Sequence, residues 1–340
     1  TVNTNGISFT SSVIFGGGAA STATWTLQSA LTSSSSITVT RGTFTTNNYN
    51  VTATQLASSN TNARTINLGS STVTLSVAAA INFGTNTNLT FNAGTSTIIA
   101  SQTATTIAGG TNNGGTGVSF YNLSLTATTT GTHTIQAVNT FNNLSVTAPS
   151  STGVRQVTFD SRQTINGTLS TTGSAGNRRV WFSSLTYGLA QTITINSAAS
   201  LTDADFRDIY VVGTAAPISG TRVGDLRGCS GITFSTPKTV YWVTAGGGNW
   251  SGNNWSNSAG GAASTDYFPL AQDTATIVNT GLNTSATVTM DSAISYTGTV
   301  DMSARTAAMT FNLNVSPANI YGDFKNGSGT VYNNANALSF

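Results

Sequence analysis

A chain of 340 residues with 38% apolar side chains is long enough to bury a large core, in one elongated domain or two compact ones. Only 6% of the residues are charged and the net charge is +2, against about 25% charged in an ordinary globular domain; this excludes the composition of a disordered chain, and with no basic run it also excludes a nucleic-acid groove. All ten acidic residues are Asp and the only lysines are Lys238 and Lys325, so good helix formers are scarce, while the abundant Thr, Ser, Asn, Gly and Val suit strands and turns.

From the N-terminus the chain reads as short alternations broken by Gly, Asn or Ser, each predicting a strand of three to five residues. Ile66, Leu68, Val73 and Leu75 set one such pattern, and the run from Ile66 to Val73 is echoed from Leu89 to Ile98, with leading residues 23 apart and an insertion inside the echo. Phe120 to Ala127 recurs as Phe141 to Ala148 at a spacing of 21 residues. His133, the only histidine, lies between these copies in Gly131-Thr132-His133-Thr134-Ile135 and reads as one more ladder residue. Val157, Phe159, Ile165 and Leu169 continue the pattern. Units of just over twenty residues holding two or three short strands match one coil of a β-solenoid, in which each coil hydrogen-bonds to the next about 4.8 Å along the axis. A β-sandwich also spaces its strands by turns, but stacked Asn, Ser and Thr account for the polar, uncharged composition, because each can hydrogen-bond to its equivalent above and below.

Residues 1–240 are therefore expected to form solenoid repeats, roughly eleven coils spanning on the order of 50 Å. Cys229 is the single cysteine, so no intrachain disulfide is available, and stability must come from packing and backbone ladders. One free thiol fits assembly in a reducing cytoplasm better than secretion into an oxidising compartment. Residues 241–340 begin a second β module, marked by Tyr241-Trp242, Trp250, Trp255 and intervening glycines. Alternation resumes in Ala275 to Val278 and Ala286 to Met290. Thr1 starts inside a repeat-like stretch and Gly329 to Phe340 ends on a strand-like one, so the expectation is a piece of a longer polypeptide or ends covered by other subunits. The fold class expected is all-β, a parallel β-helix with a second C-terminal β module.

The stretches Gly42 to Val51, Arg64 to Ser71 and Thr140 to Leu144, with the Trp-rich segment, resemble repetitive β-helical surface proteins. Such sequences occur among tail and fibre proteins of tailed phages and among large bacterial adhesins. The resemblance implies a rigid virion-surface or extracellular appendage, a homotrimer or array, with other virion or surface proteins and a cell-surface glycan as partners. It carries over no catalytic residue and no cofactor. A bacterial adhesin or surface-layer filament, and a polysaccharide depolymerase, remain as alternatives.

Two groups of residues are candidate sites. Asp203, Asp205 and Asp208 form a carboxylate cluster; on a strand, Asp203 and Asp205 would share a face with Arg207, while Phe206 and Asp208 point the other way. Paired carboxylates could cleave a glycosidic bond or hold a hard cation, whereas the plainer reading is an Asp–Arg pair organising a loop. Tyr241, Trp242, Trp250 and Trp255 could stack on sugar rings or plug the junction between modules. One histidine and one distant cysteine leave little from which to build a catalytic triad or zinc site, and no metal is expected.

Overall fold

The computed structural model describes residues 1–18, 22–315, 317–334 and 336–340. Each coil of the N-terminal module runs through three short strands on three faces, as in Leu31–Ser33, Ile37–Val39 and Gly42–Thr45, and every strand pairs in parallel with its equivalent in the next coil. The second face is a continuous ladder of ten strands, from Val13–Phe15 to Gly224–Asp225, so this module has ten coils. In the middle coils the long strands Thr116–Leu125 and Val138–Thr147 run from the third face into the first, which merges those two faces into one 13-stranded sheet.

Alternation decides what points inward, because successive side chains leave a strand on opposite sides. The first face contributes the column Val51, Val73, Ile98, Leu123, Leu144, Leu169, and the second contributes Leu56, Ile81, Ile107, Ile135, Phe159. On the third face Phe91, Phe120 and Phe141 follow one another, with ring centroids 5.5 and 5.4 Å apart. Outward polar residues form ladders of their own. Asn143 donates to Asn122 at 2.8 Å and Asn122 to the Thr97 hydroxyl at 3.2 Å.

The echo of 21 residues is the coil repeat, with Phe120 opposite Phe141 and Leu123 opposite Leu144. The other echo is corrected: Ile66 lies opposite Phe91 and Val73 opposite Ile98, a repeat of 25 without an insertion, and Leu89 pairs with Arg64. A two-residue slip leaves the inward and outward pattern unchanged, so alternation alone does not determine register. The turn does: Gly94 sits at φ +59 over Gly69 at φ +57, and a Cβ on Gly94 would lie 2.3 Å from the Gly69 carbonyl oxygen.

Several arginines are buried where coils turn. Arg64 spends its guanidinium on the carbonyls of Ser58, Asn62, Thr85 and Thr87 and on the Ser58 hydroxyl. Arg155 is fully buried in the solenoid interior, where its Nη1 donates to His133 Nε2 at 2.8 Å and its Nη2 to the Thr129 carbonyl. His133 is also fully buried, in the inward column of Thr105, Val157 and Phe182. Burial, reinforced by the Arg155 charge, pushes the His133 imidazole down to about 4, and burial lowers Arg155 to about 10, so the arginine is still charged at neutral pH.

The folded protein therefore takes up the His133 proton at lower pH than the unfolded chain, whose histidine titrates near 6.5. The stability this contributes is complete above about pH 6.5 and is lost as pH falls toward about 4, by about 3 kcal/mol in all. Denaturation midpoints measured across that range should fall with pH in the native chain and flatten in His133→Gln. An equally steep acid profile in the variant would assign the loss to other groups.

The C-terminal module is a second parallel solenoid of four turns. One face stacks Thr239–Trp242, Thr274–Thr276, Thr299–Asp301 and Phe324–Lys325, and another stacks Gly247–Asn249, Ala286–Met290, Met309–Leu313 and Thr330–Asn334. Trp242 and Trp255 face each other across an antiparallel pair. The two modules have separate cores, one reaching Val223 and the other starting at Leu226 and Val240. The only helical element among the described residues is a 3-10 turn at Thr265–Tyr267.

Candidate functional site

Trp242, Trp250 and Trp255 are fully buried, packed edge to face with centroids 5.2 and 4.6 Å apart. They make the core of the second module's first turns, so they offer no ring face to a sugar; Tyr241, on the opposite side of its strand, is half-buried. The residues between these tryptophans are mostly Gly, Asn and Ser, and nothing in that stretch distinguished display from core.

The acidic cluster is also buried, at the seam between modules. Asp205 receives Arg179 Nε at 2.5 Å and Nη2 at 2.7 Å, and the Tyr296 hydroxyl from the second module at 2.5 Å. Asp203 takes Arg222 at 2.5 and 3.0 Å, and Arg222 reaches Asp266 across the seam at 2.8 Å. Asp205 and Arg207 share the outward side of strand Ala204–Arg207, with Phe206 inward. Asp203 and Asp208 depart from the expected alternation because both are corner residues in the left-handed region, at φ +58 and +53. Asp208 receives the Gly188 N–H at 2.8 Å.

Burial works against the Arg179 charge, but the Asp205 carboxylate outweighs it and raises the guanidinium above its ordinary value. Burial next to Asp205 holds the Tyr296 phenol well above its usual range. Asp203 and Asp205 are closed to solvent and spent on arginines, an arrangement that joins modules. Among the described residues, no group of three or more His, Cys, Asp or Glu side chains is placed to hold a metal ion.

Beside this seam the modules enclose an open cleft of about 670 Å³, within the usual range for small-ligand sites, which favour domain interfaces. One wall comes from the second face of the first solenoid and carries Thr130, Thr132, Gln156 and Trp181; the other, from the second module, carries Asn249, Asp291, Tyr296 and Asn314. Trp181 tilts against Tyr296 at 5.8 Å and stacks on Tyr187 at 6.1 Å. Its indole nitrogen is buried without a hydrogen-bond partner. Asp291 is oriented by the Ser251 N–H and hydroxyl and by the Ala293 N–H, at 2.8 to 3.0 Å. Among the described residues no Lys or Arg lines the cleft, and beside the single carboxylate of Asp291 its polar groups are amides and hydroxyls, which suit a ligand rich in hydroxyls.

The sequence reading missed this site, although one signal was present. Trp181 follows Val180 and precedes Phe182 in an alternating strand, which places a tryptophan on the outward side.

Fold and cleft together define a two-module parallel β-solenoid with a polar cleft between its modules, an architecture compatible with a structural or surface role. No protein-family model, no curated protein and no solved structure matches the chain.

Proposed function

We propose that the chain is a rigid structural element of a virion-surface or extracellular appendage, of the tail-fibre or tailspike kind, that presents its inter-module cleft to an uncharged surface glycan. The carrying observation is the cleft itself, with an aromatic side chain, amides and hydroxyls set on two modules that an ion-pair network holds together. Sugars bind through such mixtures, since ring faces are apolar and their hydroxyls need partners. Continuous parallel ladders make the support stiff, and repeated copies would add avidity to weak contacts. The role is non-enzymatic, with self-association as a trimer or array and neighbouring surface proteins as partners.

Two measurements test this reading. A screen of neutral oligosaccharides should yield binding that is insensitive to salt, because the ligand carries no charge to be screened, and Trp181→Ala should weaken it by roughly tenfold to a hundredfold, the loss of an aromatic anchor. Binding unchanged in Trp181→Ala would remove the cleft from the proposal. Intact mass and chain count from native particles address the appendage itself: three chains per assembly support a fibre or tailspike, whereas a large planar lattice supports a surface layer instead.

A further inference from the structure

The third face of the first solenoid lies apart from the cleft and the seam, both of which engage the second face. Its outward side carries a regular rank of hydroxyls: Thr24, Thr43, Thr65 and Thr90 in four successive coils. Ser119, Thr140, Thr164 and Thr194 continue it, the inner column passing unbroken from Phe91 to Phe120 between the two groups. All are accessible to solvent, and none of these hydroxyls hydrogen-bonds within the protein among the described residues.

Two residues further along each strand runs a second rank, from Thr26 and Thr45 to Asn67 and Asn92, and here the amides are tied together. Asn92 donates to Asn67 at 2.7 Å, Asn67 to the Thr45 hydroxyl at 3.1 Å, and Asn196 to Asn166 at 2.9 Å. Neither rank contains a charged residue.

We propose that this face binds ice. Adjacent coils hold the free hydroxyls about 4.8 Å apart, and the two ranks lie about 6.6 Å apart along the strands. Rows of oxygen atoms on ice faces repeat at comparable intervals. Each threonine hydroxyl can both donate to and accept from water, and its methyl group fills the space between water positions. The inner aromatic column and the locked asparagine rank fix the lattice before water meets it, so little order has to be created on binding. A periodic, uncharged surface has no single small ligand to match. Crystalline polysaccharide would call for aromatic platforms, and the only aromatic residue in the two ranks is the half-buried Tyr121. A second copy of the chain would call for an apolar patch core, which these ranks do not supply.

The test uses the full chain with a single ice crystal under a cooling stage. The native protein should shape the crystal, hold its growth temperature below its melting temperature and slow recrystallisation. Thr65→Tyr and Thr140→Tyr should lose most of that activity, while Thr74→Tyr, outward on the first face, should keep it. Circular dichroism confirms that each variant is folded; if the tyrosine variants do not fold, Thr65→Val keeps the shape, lacks the hydroxyl and should show a smaller gap. Smooth unshaped crystals with the native chain, full activity in folded Thr65→Tyr, or adsorption to crystalline cellulose in place of ice would each overturn the proposal. The cleft-directed glycan screen is independent of all three outcomes.

Discussion

Arg179→Met is expected to cost about 3–5 kcal/mol of stability, the range for leaving buried charges without their partner. The side chain is fully buried and makes two charged hydrogen bonds to Asp205, one to the Gly176 carbonyl at 3.0 Å and one to the Arg222 carbonyl at 2.7 Å, with Asp203 at 3.7 Å. Methionine fills much of the volume and supplies none of these donors. The effect should appear as a lower denaturant midpoint, accompanied by earlier proteolysis at the seam. Arg179→Met combined with Asp205→Leu should recover part of the loss, because the orphaned carboxylate is then removed. Tyr296→Phe, which removes one donor to the same carboxylate, should cost about 1–3 kcal/mol. A loss in Arg179→Met no larger than in Tyr296→Phe would show that water enters the seam and satisfies the aspartates.

Phe141→Ala should be comparably damaging, at about 3–5 kcal/mol for a buried phenylalanine that leaves a cavity. Its ring is fully buried and stacks on Phe120 with the planes 11° apart, and Ile165 lies opposite it in the following coil. In a solenoid each coil contacts only its neighbours, so a gap at one position weakens two interfaces at once. Hydrogen exchange should accelerate first in the strands holding Phe120 and Ile165 and leave the terminal coils little changed. Phe9→Ala, at a site 39% exposed, is the comparison and should have a small effect on the midpoint. Uniform acceleration along all ten coils would show that the module unfolds as one unit and not from the damaged interface.

Much of the fold was legible in the residues. Alternation at Ile66, Val73, Leu123 and Leu144 identified inward positions, and the echo of Phe120 by Phe141 gave a true coil repeat, because equivalent residues in stacked coils share one environment. The echo of Ile66 was misaligned by two, since a period of two cannot distinguish registers that differ by two. Buried arginines such as Arg64 and Arg155 were not foreseen. Apart from the His133 ring and the Ser58 hydroxyl their partners are backbone carbonyls, and every residue has a carbonyl, so little in the residue types marks the site.

The candidate site was less legible. Asp203, Asp205 and Asp208 stood out as a cluster and the Asp–Arg pairing was anticipated, but their partners Arg179, Arg222 and Tyr296 come from positions 19 to 91 residues away in the chain. The cleft depends on where the second module packs, a choice made by the outward residues of a few coils. Trp242, Trp250 and Trp255 could be read as a sugar-stacking platform or as a plug between modules, and they form the core of the second module.

By itself, then, the sequence determined that the chain is all-β, that it repeats and which side chains face inward, because these follow from strand periodicity and turn chemistry within one or two coils. Only the tertiary structure decided which coils the second module covers, which aromatic residues remain accessible and which carboxylates are consumed in ion pairs. Those outcomes depend on contacts between residues far apart in the chain, whose energies come from the joint burial of two surfaces and are not carried by either segment alone.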